Sequence, residues 1–350
     1  MYRLKPLAAA VLLSLANPAL ADNELLQDQI GLDNVAAYTE TGVNDGNRTT
    51  QMQYGDGNTA RTTLDNAFDG SAQQVQEGNR NTSDIQQTGE RNFAVTFQGD
   101  TAEDNTVSVI QIGADNSADV RQAQNAFGNA AAVYQEGNAN LADVDQTGRA
   151  NQLTASATGD ANSLIATQEG YAVAQVQQVG NGNELAFIQR TYYEGARLTV
   201  NQRGDANLAD IDQGDGNRLA LDQEGDGNVA DIYQADYQNV LDFDQTGNGN
   251  QLTVFQNGYG GRIEGYSIGD GNTVTVSQEY MSNAAYVRQT GSDNAASIEQ
   301  TVAAATATIE QVGSANEASI RQLGSPETIS NFNATILQNG NGNVSHLVQQ

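Results

Sequence analysis

Gln135, Gly137 and Asn140 recur as Gln146, Gly148 and Asn151, each eleven residues further on. No other feature limits so sharply what this chain can fold into. The pattern Gln-x-Gly-x-x-Asn occurs in 14 complete copies, starting at Gln29, Gln53, Gln76, Gln87, Gln111, Gln135, Gln146, Gln178, Gln202, Gln223, Gln245, Gln289, Gln311 and Gln338. With each residue type near a tenth of the chain, chance supplies fewer than about one copy, so this is a repeat array. Two further copies, at Ala157 and Ser267, keep the glycine and asparagine but replace the glutamine. Six residues after most of these asparagines stands another glutamine, as from Asn140 to Gln146 and from Asn228 to Gln234. Counted in this way, 29 slots run from Gln29 to Gln349, most of them eleven apart. Residues 29–350 therefore read as one array with no linker and no second domain.

Between asparagine and glutamine the chain alternates with period two. In Asn140-Leu-Ala-Asp-Val-Asp-Gln146, one face carries Asn140, Ala142, Val144 and Gln146, and the other Leu141, Asp143 and Asp145. Seven alternating residues predict a strand about 20 Å long. On a helix the same spacing would scatter the apolar positions around the axis. Four residues between glutamine and asparagine must reverse the chain, and glycine at the second of them takes positive φ without a Cβ clash. One unit is then a strand plus an arc, and two units make a coil. The expected fold is all-β: a β-solenoid of about 14 stacked two-strand coils, cross-β in its spacing.

The two arcs of a coil are not equivalent. From Gln111 onward every second arc keeps Gly-x-x-Asn, while the intervening ones vary. The arc from Gln213 to Asn217 is one residue shorter, that from Gln278 to Asn283 lacks glycine, and that from Arg190 to Ala196 is longer. Near the N-terminus the regular arcs, after Gln29, Gln53 and Gln76, fall on the other phase.

Each strand offers about two inward apolar residues, often as small as alanine, so one coil cannot close a core and stacked coils must bury one another. At about 4.8 Å per coil, equivalent positions lie above one another, and inward amides can bond along the stack. An amide suits this because it holds both donors and an acceptor. The expected ladder comprises Gln111, Asn116, Gln135, Asn140, Gln146, Asn151, Gln178, Asn183, Gln202, Asn207, Gln223, Asn228, Gln245, Asn250, Gln289, Asn294, Gln311, Asn316, Gln338 and Asn343. The arc glycines that go with it are Gly113, Gly137, Gly148, Gly180, Gly204, Gly225, Gly247, Gly291, Gly313 and Gly340. A slipped register would leave buried amides unsatisfied at roughly 1–3 kcal/mol each. No capping segment is evident at either end of the pattern, and unpaired strand edges invite another molecule.

The first 21 residues stand apart. Arg3 and Lys5 precede an apolar run from Leu7 to Leu15, and Ala19-Leu20-Ala21 then reads as a signal-peptidase site, with cleavage between Ala21 and Asp22. Residues 22–28 make a short leader. No other stretch approaches the roughly 18–20 apolar residues of a membrane span, so a secreted, extracellular product is expected. With 43 acidic residues against 15 basic ones the net charge is −28, which repels nucleic acid and anionic membranes. Cysteine is absent, so no disulfide staples the chain.

Enzyme readings find little support. The single histidine, His346, lies three residues after Asn343 and is expected to face outward. No GxGxxG, Walker or GxSxG motif occurs, and no cofactor is implied. Asp210-Ile-Asp212-Gln-Gly-Asp215-Gly216 resembles the start of a calcium loop, but Leu221 stands where the bidentate glutamate belongs. Outward Asp210 and Asp231, one coil apart, would repel by roughly 0.9 kcal/mol in water. Tyr233, Tyr237, Phe243 and Phe255 read as strand packing or surface contacts.

A signal peptide followed by tandem units such as Gln135-Glu-Gly-Asn-Ala-Asn140 and Gln223-Glu-Gly-Asp-Gly-Asn228-Val-Ala230 resembles the curlin family, the subunits of bacterial curli amyloid fibres. The likeness covers nearly all of the chain after the signal, in an array longer than the family's usual one. It implies export of an unfolded chain through the outer-membrane curli secretion machinery. It also implies self-assembly with its own copies, and with another curlin subunit or nucleator, into a cell-surface fibre for adhesion and biofilm. The other class open to such an array is a monomeric secreted β-solenoid, an adhesin or an ice-binding protein. Its outward positions mix Asp, Leu, Arg, Thr and Ser, where ice binders present rows of threonine.

Overall fold

A computed structural model describes residues 22–324 and 331–350. Ala21, on one side of the expected cleavage site, lies outside them, as does the rest of the expected signal segment. Among the described residues there are 29 strands, the first Glu24–Ile30 and the last Val344–Gln349, and no helix. They form parallel two-strand coils, about 14 in all, and the fold is a β-solenoid. The chain divides into two compact units between Tyr171 and Ala172. The first holds 13 strands, alternating between one parallel sheet of seven and one of six. The second holds 16, eight to each sheet.

In the first unit, strand Leu141–Arg149 shows how the pattern becomes structure. Its register partners in the coil below are Ala142↔Ala118, Val144↔Val120 and Gln146↔Gln122. In the coil above they are Ala142↔Leu164, Val144↔Ala166 and Gln146↔Gln168. Ala142, Val144 and Gln146 are buried, while Leu141 and Asp143 are exposed. The core is thus a set of columns only a few side chains wide, in which alanine stacks on alanine at Ala118 and Ala142 before Leu164 covers the latter. In the second unit, Phe243 and Gly265 are neighbours in one such column. A Cβ at Gly265 would meet the Val287 carbonyl oxygen at 2.0 Å and the edge of the Phe243 ring at 2.9 Å.

The first strand begins at Glu24, inside the segment read as a leader, because a glutamine slot closes a strand and Gln29 needs its strand ahead of it. Gln27 and Gln29 accordingly sit in register with Gln51 and Gln53.

The two phases of regular arcs are the two edges of the coil. Gly31, Gly55 and Gly78 stack along one edge, and the next place in that column is taken by Ala102, in an arc two residues longer (Gln98 to Asn105). On the opposite edge Gly89, Gly113 and Gly137 stack and continue to Gly159. An inserted pair of residues widens one edge, so tight glycine packing persists only on the other. Near the C-terminus His346 is exposed and bonds through Nδ1 to Ser319 Oγ at 2.9 Å.

Candidate functional site

The residues that recur most strictly are buried and bonded to their own equivalents. In the first unit Gln122 Nε2 donates to Gln146 Oε1 (2.8 Å), and Gln146 Nε2 in turn donates to Gln168 Oε1 (2.7 Å). In the other sheet Gln87 donates to Gln111 and Gln111 to Gln135, each at 2.9 Å. In the second unit a column runs from Gln178 through Gln202 and Gln223 to Gln245, at 2.9–3.0 Å. Ser267 stands at the next slot and passes the pattern on with its own hydroxyl, donating to Gln289 at 2.9 Å. Gln289, Gln311 and Gln338 complete that column.

The second amide N–H has a separate task. Gln146 Nε2 also reaches the carbonyl of Ala130 (3.1 Å), the first residue of the strand across the coil, and Gln135 reaches that of Ser117 (3.0 Å). One side chain therefore links its coil to the next and closes its own coil. A carbonyl only accepts, so the atom facing it must be the nitrogen, and the direction of the whole column follows.

Asparagine columns work in the opposite sense. Asn140 donates from its backbone N–H and from Nδ2 to Asn116 Oδ1, one coil toward the N-terminus (3.1 and 3.0 Å). Its Nδ2 also reaches the carbonyl of Gly159, one coil onward (2.8 Å). Since a backbone N–H only donates, Oδ1 is fixed as the acceptor. In the second unit Asn183, Asn207, Asn228, Asn250, Asn272, Asn294, Asn316 and Asn343 make an unbroken column of this kind. Asn151 belongs to the other edge, where it donates to Asn129.

The glycine carbonyl in this arrangement explains why the arc tolerates no side chain. At Gly137 φ is 120°, and a Cβ there would lie 2.1 Å from the carbonyl oxygen of Gly159. Gly113, Gly180, Gly204, Gly225, Gly247, Gly291 and Gly313 meet the next coil's glycine in the same way, at 2.0–2.3 Å. Gly148 differs: its φ is 76°, and its nearest neighbour is the Gly170 nitrogen at 3.2 Å. Gly340 has φ 116°, and the nearest atom is Asn343 Nδ2 at 3.4 Å.

An inner polar chain in the first coils escapes the eleven-residue rule. Gln27 donates to Gln51 and Gln51 to Gln74, and Thr62, Ser83 and Thr96 join this buried network. Its signal is the pair Gln51-Met52-Gln53, repeated as Gln74-Val75-Gln76, which places two amides on one face of a strand.

Charges lie on the outer faces. Arg80 bonds Asp104 and Glu103, and Arg91 bonds Asp115 (2.7 Å), holding both aspartates below the usual carboxylate range. Partial burial raises Asp119, Asp145 and Asp244, with the neighbouring carboxylates Asp143, for the first two, and Asp222, for the third, adding to the effect. Arg121 opposes the rise at Asp119 and Asp145. Asp145 Oδ1 is buried without a hydrogen-bond partner. Asp210 and Asp231 are direct register partners. Of the aromatic residues, Phe243 is buried, Tyr233 and Phe255 stack outward with centroids 5.2 Å apart, and Tyr237 stands exposed in an arc.

Coils joined by amide columns define a β-solenoid repeat protein. Three segments of the chain, residues 113–148, 137–170 and 269–301, match the family model of the curlin associated repeat, and these matches support a curlin-family assignment. No curated protein matches it. Curlins are structural proteins, and a curli-like structural subunit is what the repeats and the solenoid together suggest. No helix among the described residues is long and apolar enough to cross a membrane.

Proposed function

We propose that this protein is the subunit of an extracellular, curli-like functional amyloid fibre that assembles at the cell surface and serves adhesion and biofilm matrix. The observation that carries this reading is the in-register amide column. Each coil presents to the next the same glutamine and asparagine slots that it receives, as in the run from Asn183 to Asn343. A coil from a second copy is chemically equivalent to the chain's own next coil, so the interaction that folds the molecule also polymerises it. Export through the outer-membrane curli machinery, and nucleation by another curlin subunit, belong to the same reading.

The test is to dilute the purified chain, lacking its signal segment, from denaturant. Fibres with a meridional reflection near about 4.7 Å are expected. A stable monomer that never forms them would reverse the reading in favour of a solitary secreted solenoid.

A further inference from the structure

Among the 13 arginines of the described residues, seven have a carboxylate within ion-pair distance. Arg197 and Arg218 have none, and they are register partners on the outer face of one sheet of the second unit. Two guanidinium groups about one coil spacing (~4.8 Å) apart repel each other. A chain this rich in aspartate and glutamate could have neutralised them with a neighbour, as it does at Arg80, Arg91 and Arg190.

These two arginines border a hollow of about 300 Å³, whose other lining residues are Val173, Gln175, Thr199 and Ala220, with Leu198 and Leu219. The two leucines are buried and offer only main chain. Thr199 and Ala220 are small, and this opens the hollow beside the longer arginines. No acidic side chain lines it. Its polar side chains are two guanidinium groups, a hydroxyl and an amide, and Gln175 pairs with Thr199 across the register. Of the acids of the same sheet, Asp242, Asp244 and Glu264 line a separate hollow, and Asp222 accepts from Asn201.

We propose that this hollow is an oxyanion site, taking a sulfate, phosphate or carboxylate group between Arg197 and Arg218, with Thr199 and Gln175 as further donors. A guanidinium presents a planar fork that meets an oxyanion with two N–H bonds, and such charge-assisted bonds are the strong ones. An anion shared by the two arginines also removes their mutual repulsion. The site is open to solvent, so the group can be a free ion or one borne on an extracellular polyanion. Nothing in this reading depends on fibre formation.

Equilibrium dialysis of the folded full chain against labelled inorganic sulfate, at fixed ionic strength, tests it. Saturable uptake is expected, weakened about tenfold by Arg218→Gln and further by Arg197→Gln with Arg218→Gln, as loss of a charge-assisted pair implies. A control pair, Arg80→Gln with Arg91→Gln, should leave uptake unchanged, because those arginines are already occupied by acids. Circular dichroism checks that each variant retains its β-sheet, and the single Arg218→Gln decides the matter if the double variant does not fold. Absence of saturable uptake, or an equal loss in the control pair, overturns the proposal. A parallel arm uses heparin as a sulfate-bearing polymer. Heparin binding through the same arginines and tighter per sulfate group points to a polymer, and equal binding points to the free ion.

Discussion

At the scale of the residue, the amide slots carry specificity that the small apolar core cannot. Removing Gln146 strips Gln122 of an acceptor, Gln168 of a donor and the Ala130 carbonyl of its partner. Gln146→Ala or Asn140→Ala is expected to destabilise the fold by about 1–3 kcal/mol and to slow assembly, whereas Asp143→Ala, on the outer face, should change little. Chemical denaturation together with assembly kinetics measures this, and equal effects at all three positions would remove the structural role given to the amides. Gly137→Ala combines a positive φ with a clash against the Gly159 carbonyl, so a loss of about 3 kcal/mol or more is expected. These positions were legible because the repeat printed them many times. Gln27, Gln51 and Gln74 were not. They occur in only a few coils, and a second amide on an inward face becomes intelligible once Thr62 and its neighbours are seen beside it.

At the scale of the strand, the alternation of period two made the elements plain, since polar and apolar residues exchange faces at every step. The edges were less plain. Arc length decides which edge stacks glycine on glycine, and the consequence of the insertion between Gln98 and Asn105 depends on the coils above and below it rather than on its own composition. The outer faces bring a pH dependence. Burial raises the folded-state pKa of Asp119, Asp145 and Asp244 above the unfolded value of about 3.9, so the folded form holds protons that the unfolded chain has lost. Their contribution is greatest below that value and is lost as pH rises through the folded-state pKa. Asp104 and Asp115, lowered by their arginines, act in the opposite sense and weaken the fold only once pH falls into the acid range. Stability is therefore expected to rise as pH falls from 7 toward about 4, and Asp145→Asn should raise stability at pH 7 and flatten that slope. Denaturant midpoints measured across this range check both expectations.

At the scale of the whole molecule, a net charge of −28 opposes association while the coils favour it. Screening should then set the rate. Assembly is expected to quicken as sodium chloride rises, and calcium and magnesium at equal ionic strength should act alike, since screening follows ionic strength rather than the identity of the ion. Kinetics in the three salts would show it, and a calcium-specific acceleration would contradict it. The charge and the array were plain from composition and period. The direction of each amide column was not, because the side chain that points up and the one that points down are written with the same letters. That direction has an electrical consequence. In an α-helix every peptide dipole adds to the last, and the sum reaches roughly half a charge at each end. Here the glutamine dipoles point one way along the stack and the asparagine dipoles the other, while the strands themselves contribute little. Each added coil lengthens two opposed moments together, so a stack of any length accumulates almost no polarisation from its amide columns, and the charges on its outer faces are left as the electrostatic term that opposes its growth.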